Sequence, residues 1–166
     1  MHSSRRKFLY GGLAFAGFIA LQFLSGKSKT LYTADPTIQK LTLTDEEWKQ
    51  RLSENAYLVL RKGKTEVRRS SPLNNEWRPG TYKCIACDLD LFTSEMKYES
   101  NTGWPSFVDH IQGHLETYTD LYAVPPQRGY RCARCGGHHG HVFSDGPLPR
   151  GERWCNNGVA LKFEPA

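Results

Sequence analysis

The chain has 166 residues, a formal net charge of +5, 39% hydrophobic and 23% charged residues, a balance that suits one soluble globular body and excludes a disordered polyelectrolyte. The charge excess sits in the first 30 residues, where Arg5, Arg6, Lys7, Lys27 and Lys29 meet no acidic residue. Residues 31–166 therefore carry 17 Lys/Arg against 17 Asp/Glu, and a nucleic-acid partner, which needs its positive patch on the folded body, is not expected.

Residues 1–30 read as an export leader: a basic head, an apolar run from Phe8 to Leu24, and a polar tail from Ser25 to Thr30. Ser4-Arg5-Arg6-Lys7-Phe8-Leu9 resembles a twin-arginine signal, and the run is diluted by Gly11, Gly12 and Gly17. Its destination is then the periplasm or the exterior. No good small-x-small cleavage site follows Leu24, so an uncleaved leader tethering the body to the membrane is the alternative.

Residues 31–43 are polar and mixed and read as a linker, with the folded domain over 44–166. Thr44-Asp45-Glu46-Glu47 is a capping box that opens a short helix through about Leu52. A second helix covers Asn55 to Lys62 and stops at Gly63. Beyond Thr65, turn signals recur at Ser71-Pro72, Arg78-Pro79-Gly80, Gly103-Trp104-Pro105, Asp145-Gly146-Pro147 and Asn157-Gly158. Between them lie short aromatic and branched runs such as Leu121–Val124 and Val159–Phe163. The expected fold is mainly β: an antiparallel sheet domain with short N-terminal helices and a structural zinc site.

The zinc expectation comes from two near-copies, Tyr82-Lys83-Cys84-Ile85-Ala86-Cys87 and Tyr130-Arg131-Cys132-Ala133-Arg134-Cys135. Each Cys-x-x-Cys turn aims two sulfurs at one point, and two turns complete a tetrahedron. Cys84, Cys87, Cys132 and Cys135 are thus expected to hold one Zn2+, which is structural because four thiolates leave no position for water. Two disulfides, or a thioredoxin-like pair acting in thiol–disulfide exchange, are the competing readings of the same cysteines.

The fifth cysteine, Cys155, stands in Arg153-Trp154-Cys155-Asn156-Asn157. If that segment is extended, Arg153 shares its face and favours a thiolate. His138, His139 and His141 supply imidazoles upstream. A cysteine with a histidine supply suits hydrolysis, transfer or redox chemistry alike.

The order of motifs narrows this choice. Over roughly residues 41–164 the chain resembles the methionine-R-sulfoxide reductases, the B-type repair enzymes. The matching blocks are Ser71-Pro72-Leu73-Asn74, the first cysteine pair with Leu91-Phe92, Lys97-Tyr98-Glu99-Ser100, Gly103-Trp104-Pro105-Ser106-Phe107, the second pair, His138-x-Gly140-His141-Val142-Phe143-x-Asp145-Gly146-Pro147 and Arg153-x-Cys155-x-Asn157. The resemblance implies reduction of the R epimer of methionine sulfoxide in proteins or peptides. Cys155 would attack the sulfoxide sulfur and become a sulfenic acid. His138 and His141 would serve the sulfoxide oxygen, and Asp145 would fix their network. Trp104 would wall the substrate methyl with Phe107 in support, while Arg153 and Asn157 would position the nucleophile. His139 fits no family slot and is expected to be exposed; His110 and His114 are given no function. Many family members carry a resolving cysteine where this chain has Thr102, which implies recycling by an external thiol. The same residues read without catalysis give a zinc-ribbon binding module with a buried, inert Cys155.

Overall fold

The computed structural model describes residues 31–166, and the expected leader lies outside them. Residues 31–43 hold no helix or strand, yet they are docked on the body rather than strung beside it. The Asp35 amide donates to Gly113 O, the Leu41 amide to Arg134 O and the Tyr32 amide to the Thr117 hydroxyl. Ile38, Leu41 and Leu43 pack on the core, which the polar average of the segment conceals.

Helix α1 spans Asp45–Arg51 and opens on the expected capping box, the Thr44 hydroxyl and Glu47 carboxylate each capping the other's backbone amide. Helix α2 spans Glu54–Lys62, with Ser53 as N-cap and Gly63 as a left-handed C-cap. One face of each is apolar: Trp48 from α1 and Ala56, Tyr57, Val59 and Leu60 from α2 are buried.

The remainder is antiparallel. Strands β1 (Gly80–Cys84), β2 (Asp90–Thr93), β3 (Lys97–Tyr98), β4 (Ser106–Phe107), β5 (Leu115–Asp120), β6 (Gln127–Cys132), β7 (His138–Phe143), β8 (Arg153–Asn156) and β9 (Leu161–Pro165) form two sheets, β2-β1-β9 and β3-β4-β8-β7-β6-β5. Between the sheets lies an aromatic core in which Phe92 stacks on Phe107 with ring centroids 4.1 Å apart. Trp154, fully buried, meets Tyr130 edge-on at 5.0 Å. The run Leu121–Val124 is not a strand. Asp120 pairs directly with Gln127 across the β5–β6 hairpin, so residues 121–126 are its connection, and Leu121, Tyr122 and Val124 are exposed.

Both cysteine pairs sit at hairpin turns, one between β1 and β2, the other between β6 and β7. In each turn the residue after the second cysteine, Asp88 or Gly136, has positive φ, and its amide bonds back to the first cysteine's carbonyl at 2.9 Å. The turns come from different sheets and meet sulfur to sulfur. Cys84 and Cys135 lie 3.6 Å apart, Cys87 and Cys132 3.5 Å, and all four sulfurs fall within 4.8 Å of one another. A tetrahedron with Zn–S bonds of about 2.3 Å has edges of about 3.8 Å. The donor set therefore fits zinc, whereas a disulfide needs sulfurs about 2.05 Å apart. No described helix is long and apolar enough to cross a membrane.

Candidate active site

Strand alternation builds the site. Along β8, Trp154 turns into the core, so Arg153 and Cys155 share the opposite face. Cys155 is directly opposite Ser106 on β4 and His141 on β7, and opposed residues of an antiparallel pair present their side chains on one face. This packing needs Gly140, because a Cβ there would lie 1.9 Å from the Cys155 carbonyl oxygen.

A cleft of about 300 Å3 opens over Cys155, lined by Trp104, Val124, Gln127, His141, Phe143 and Asn157 among others, and among the described residues no Lys, Arg, Asp or Glu borders it. The Trp104 indole N–H donates to Glu66 O at 3.3 Å, which holds the ring as one wall. Burial pushes the Cys155 thiol above its ordinary range; Arg153 and the Thr102 hydroxyl pull it down by less, and Asp145 adds to the rise. The expected thiolate-favouring arginine is largely engaged elsewhere. Its Nε and Nη2 donate to the two Asp145 oxygens at 2.9 Å each, and its guanidinium lies 4.2 Å from the Phe143 ring centroid.

Strict alternation would put His138 and His141 on opposite faces of β7. They share one because Arg131 pairs with His138 while Tyr130 pairs with Gly140, leaving His139 as an extra residue in a bulge. The two rings are 5.2 Å apart. His141 Nε2 donates to Asp120 Oδ2 at 2.8 Å, and His138 Nδ1 is hydrogen-bonded to the Tyr118 hydroxyl at 2.7 Å. Tyr118 and Asp120 belong to β5, two strands away. They reach across because Gly129 intervenes on β6, opposite both Tyr118 and His141; a Cβ on Gly129 would meet the Tyr118 ring at 2.7 Å. Burial, helped by the nearby His141, pushes His138 down to about 4, so its ring is neutral near pH 7. Burial raises the Asp120 carboxyl, but the bonds from His141 and the Tyr122 amide outweigh it and hold the group below its ordinary range.

Residues 52–165 match the SelR domain family. The chain is 39% identical over 133 residues to the peptide methionine sulfoxide reductase MsrB of Agrobacterium fabrum, an alignment covering 80% of this chain and 98% of that protein. The chain belongs to the MsrB family. The MsrB of Pseudomonas putida is 43% identical over 130 residues, covering 77% of this chain and 97% of its own. The chloroplastic peptide methionine sulfoxide reductase B1 of Arabidopsis thaliana is 42% identical over 123 residues, 74% of this chain and 61% of that one.

Within this MsrB-family fold, Cys155, His141, Trp104 and Asn157 border one cleft, and His138 stands behind His141. Asn157, expected to position the nucleophile, is fixed at both ends of its side-chain amide. Its Oδ1 accepts from the Glu66 amide and its Nδ2 donates to His139 O, both at 2.9 Å, so both ends of its amide are used in tying β8 to its neighbours. Asp145 lies on Arg153 rather than on the histidines, and the carboxylate bonded to His141 is Asp120. Phe107 is core, not cleft wall. His139, expected to be exposed, is fully buried because the bulge turns it inward. His110 is buried as well, its ring 4.2 Å from Trp154 and 4.7 Å from Tyr32. Tyr118 and Asp120 escaped the sequence reading; their spacing of two on a strand opposite a glycine was the one available signal.

Proposed function

We propose that this chain reduces the R epimer of peptide-bound methionine sulfoxide, with Cys155 as nucleophile. The observation that carries this is the pairing of Cys155 with His141 inside an uncharged cleft walled by Trp104. A free amino acid would bring an ammonium and a carboxylate, and among the described residues no charged side chain borders the cleft to meet them; a residue within a peptide brings neither.

The sulfoxide methyl lies against Trp104 and the oxygen points toward His141, and only one epimer satisfies both while offering its sulfur to Cys155. Sulfoxide oxygen leaves poorly until protonated, so acid and thiolate must act together. Burial keeps the Cys155 proton on sulfur at rest. That proton passes through His141, oriented by Asp120, to the sulfoxide oxygen as the sulfur attacks. The attack forms an S–S bond to a methionine sulfur that now bears a hydroxyl; the hydroxyl then passes to the Cys155 sulfur as the S–O and S–S bonds both break, methionine leaves with an electron pair, and Cys155 is left as a sulfenic acid. One external thiol then forms a mixed disulfide and releases water; a second restores the Cys155 thiol and leaves as a disulfide. External recycling is supported by the inventory, since the four other cysteines all belong to the sulfur cluster.

Cys84, Cys87, Cys132 and Cys135 would hold one structural Zn2+, which supplies a cross-link between the two sheets and takes no part in the reaction. The leader supports delivery to the periplasm by the twin-arginine route, with a membrane tether if it is retained, and the reductant is then a thiol outside the cytosol.

The test is turnover of separated R and S sulfoxide epimers of one peptide with dithiothreitol, wild type beside Cys155→Ser. Reduction of the R epimer alone, lost in the variant, is expected. A folded, zinc-loaded wild type that turns over neither epimer would overturn the reading in favour of a binding module.

A further inference from the structure

The proposed chemistry uses the cleft over Cys155 and leaves a larger feature unassigned. A groove of about 570 Å3 runs between α2, residues 64–73 and the turn at Gly158–Ala160. Its lining is mostly apolar, with Leu58, Val59, Leu73, Ile85, Val159 and Leu161 set among Lys64 and hydroxyl and amide side chains such as Ser53, Asn55 and Ser70. At its lip Val67 is 77% exposed. The one carboxylate bordering it, Glu66, is turned onto backbone, accepting from the Gly158 amide at 2.6 Å and the Val159 amide at 2.8 Å.

The groove is continuous with the cleft. Thr65 borders both, and the consecutive residues Asn157, Gly158 and Val159 pass from one to the other. A peptide whose oxidised side chain occupies the cleft must carry its main chain over that rim. Extended chain advances about 3.3 Å per residue, so residues a few positions from the sulfoxide fall in the groove. Apolar side chains entering such a groove are removed from water, which contributes roughly in proportion to the area covered.

Building on the peptide-reductase reading above, we propose that this groove binds apolar residues flanking the oxidised methionine, so that the preferred substrates are methionine sulfoxides within apolar stretches of polypeptide. Methionines set among polar residues, and sulfoxides without flanking chain, forgo this contact.

The experiment compares kcat/KM for two peptides of equal length, the R-sulfoxide flanked on both sides by leucines or by serines. Both are expressed relative to N-acetyl-methionine-R-sulfoxide, which has no flanking residues. In wild type the leucine peptide is expected to exceed the serine peptide by tenfold or more, mostly through KM. Val67→Glu and Val67→Lys, each at an exposed position that folding tolerates, are expected to cut that ratio to threefold or less. Equal efficiency on the two peptides in wild type would overturn the proposal, as would a ratio that survives both charges. Were the groove instead covered by a second copy of the chain, the variants would change the sedimentation of the protein and leave the peptide ratio intact, which also overturns it. No turnover of any of the three substrates removes the reductase reading itself, and this inference with it.

Discussion

At Cys155 four influences compete: burial raises the thiol, Arg153 and Thr102 lower it, and the negative charge of Asp145 raises it again. Removing the Asp145 charge takes away its repulsion of the thiolate and also frees the guanidinium that it now holds. Asp145→Asn is expected to move the pH dependence of Cys155 alkylation downward and to speed alkylation several-fold at pH 7. Arg153→Met is expected to move it upward. An unchanged profile in Asp145→Asn would mean that the ion pair is structural only. His110 is a second residue held in tension. Burial pushes it down to about 4 from an ordinary 6.5, and the Asp109 carboxylate, 3.4 Å from Nδ1, offsets only part of that fall. The folded state therefore binds fewer protons than the unfolded one between those values, and stability rises with pH there. Its contribution is complete above pH 6.5 and is lost as pH falls toward 4. His110→Phe keeps the stacking on Trp154 and Tyr32 and removes the titration, so the urea midpoint should fall less steeply between pH 7 and 5 than in wild type. His138, also near 4, accounts for part of the slope that remains.

The elements were legible wherever a local rule governs them. A capping box and a glycine fixed both helices almost to the residue, because caps are satisfied by neighbours in the chain. Runs of apolar residues were less informative. Leu121–Val124 has the composition of a strand, but the pairing of Asp120 with Gln127 leaves it no partner. The β7 bulge was invisible for a related reason: alternation is a property of one strand, whereas a bulge exists only against its neighbour. It decides the site, since it puts His138 beside His141 and sends His139 into the core. Gly140, next to the bulge, allows β7 to approach the Cys155 carbonyl. In Gly140→Ala the added methyl meets backbone that cannot rotate away, so β7 and β8 must separate. We expect a loss of about 3 kcal/mol, at the upper end for overpacking, read as a lowered urea midpoint. Peptide turnover should fall further than the unfolded fraction explains, because His141 and Cys155 are displaced together. Stability within about 0.5 kcal/mol of wild type would contradict the close approach.

Across the whole molecule, the sequence carried the sulfur cluster and the order of the motifs but not which surfaces they join. Residues 31–43 read as a linker because their apolar members are interspersed with polar ones, and only the folded body supplies the pockets that Ile38, Leu41 and Leu43 fill. Asp120 lies in a stretch without a motif and enters the site through a sheet order that no local pattern encodes. The two cysteine turns close the fold at another level. Cys84 and Cys87 belong to the β1–β2 hairpin, Cys132 and Cys135 to the β6–β7 hairpin, so a metal between them links the small sheet to the large one. A cross-link closing roughly 50 residues of chain contributes about 4 kcal/mol by restricting the unfolded state. For a domain of this size that corresponds to a Tm lower by roughly 10–20 °C when the link is lost. Dialysis against a strong chelator under reducing conditions is expected to produce that drop together with release of one zinc per chain. Four thiolates would leave a bound ion no open position, so a metal held there would take no part in the reaction. Residual turnover at each temperature should therefore track the folded fraction of the stripped protein. Activity abolished while the fold persists would mean that the ion acts at the cleft, and a Tm unaffected by chelation would mean that the aromatic core alone holds the sheets together.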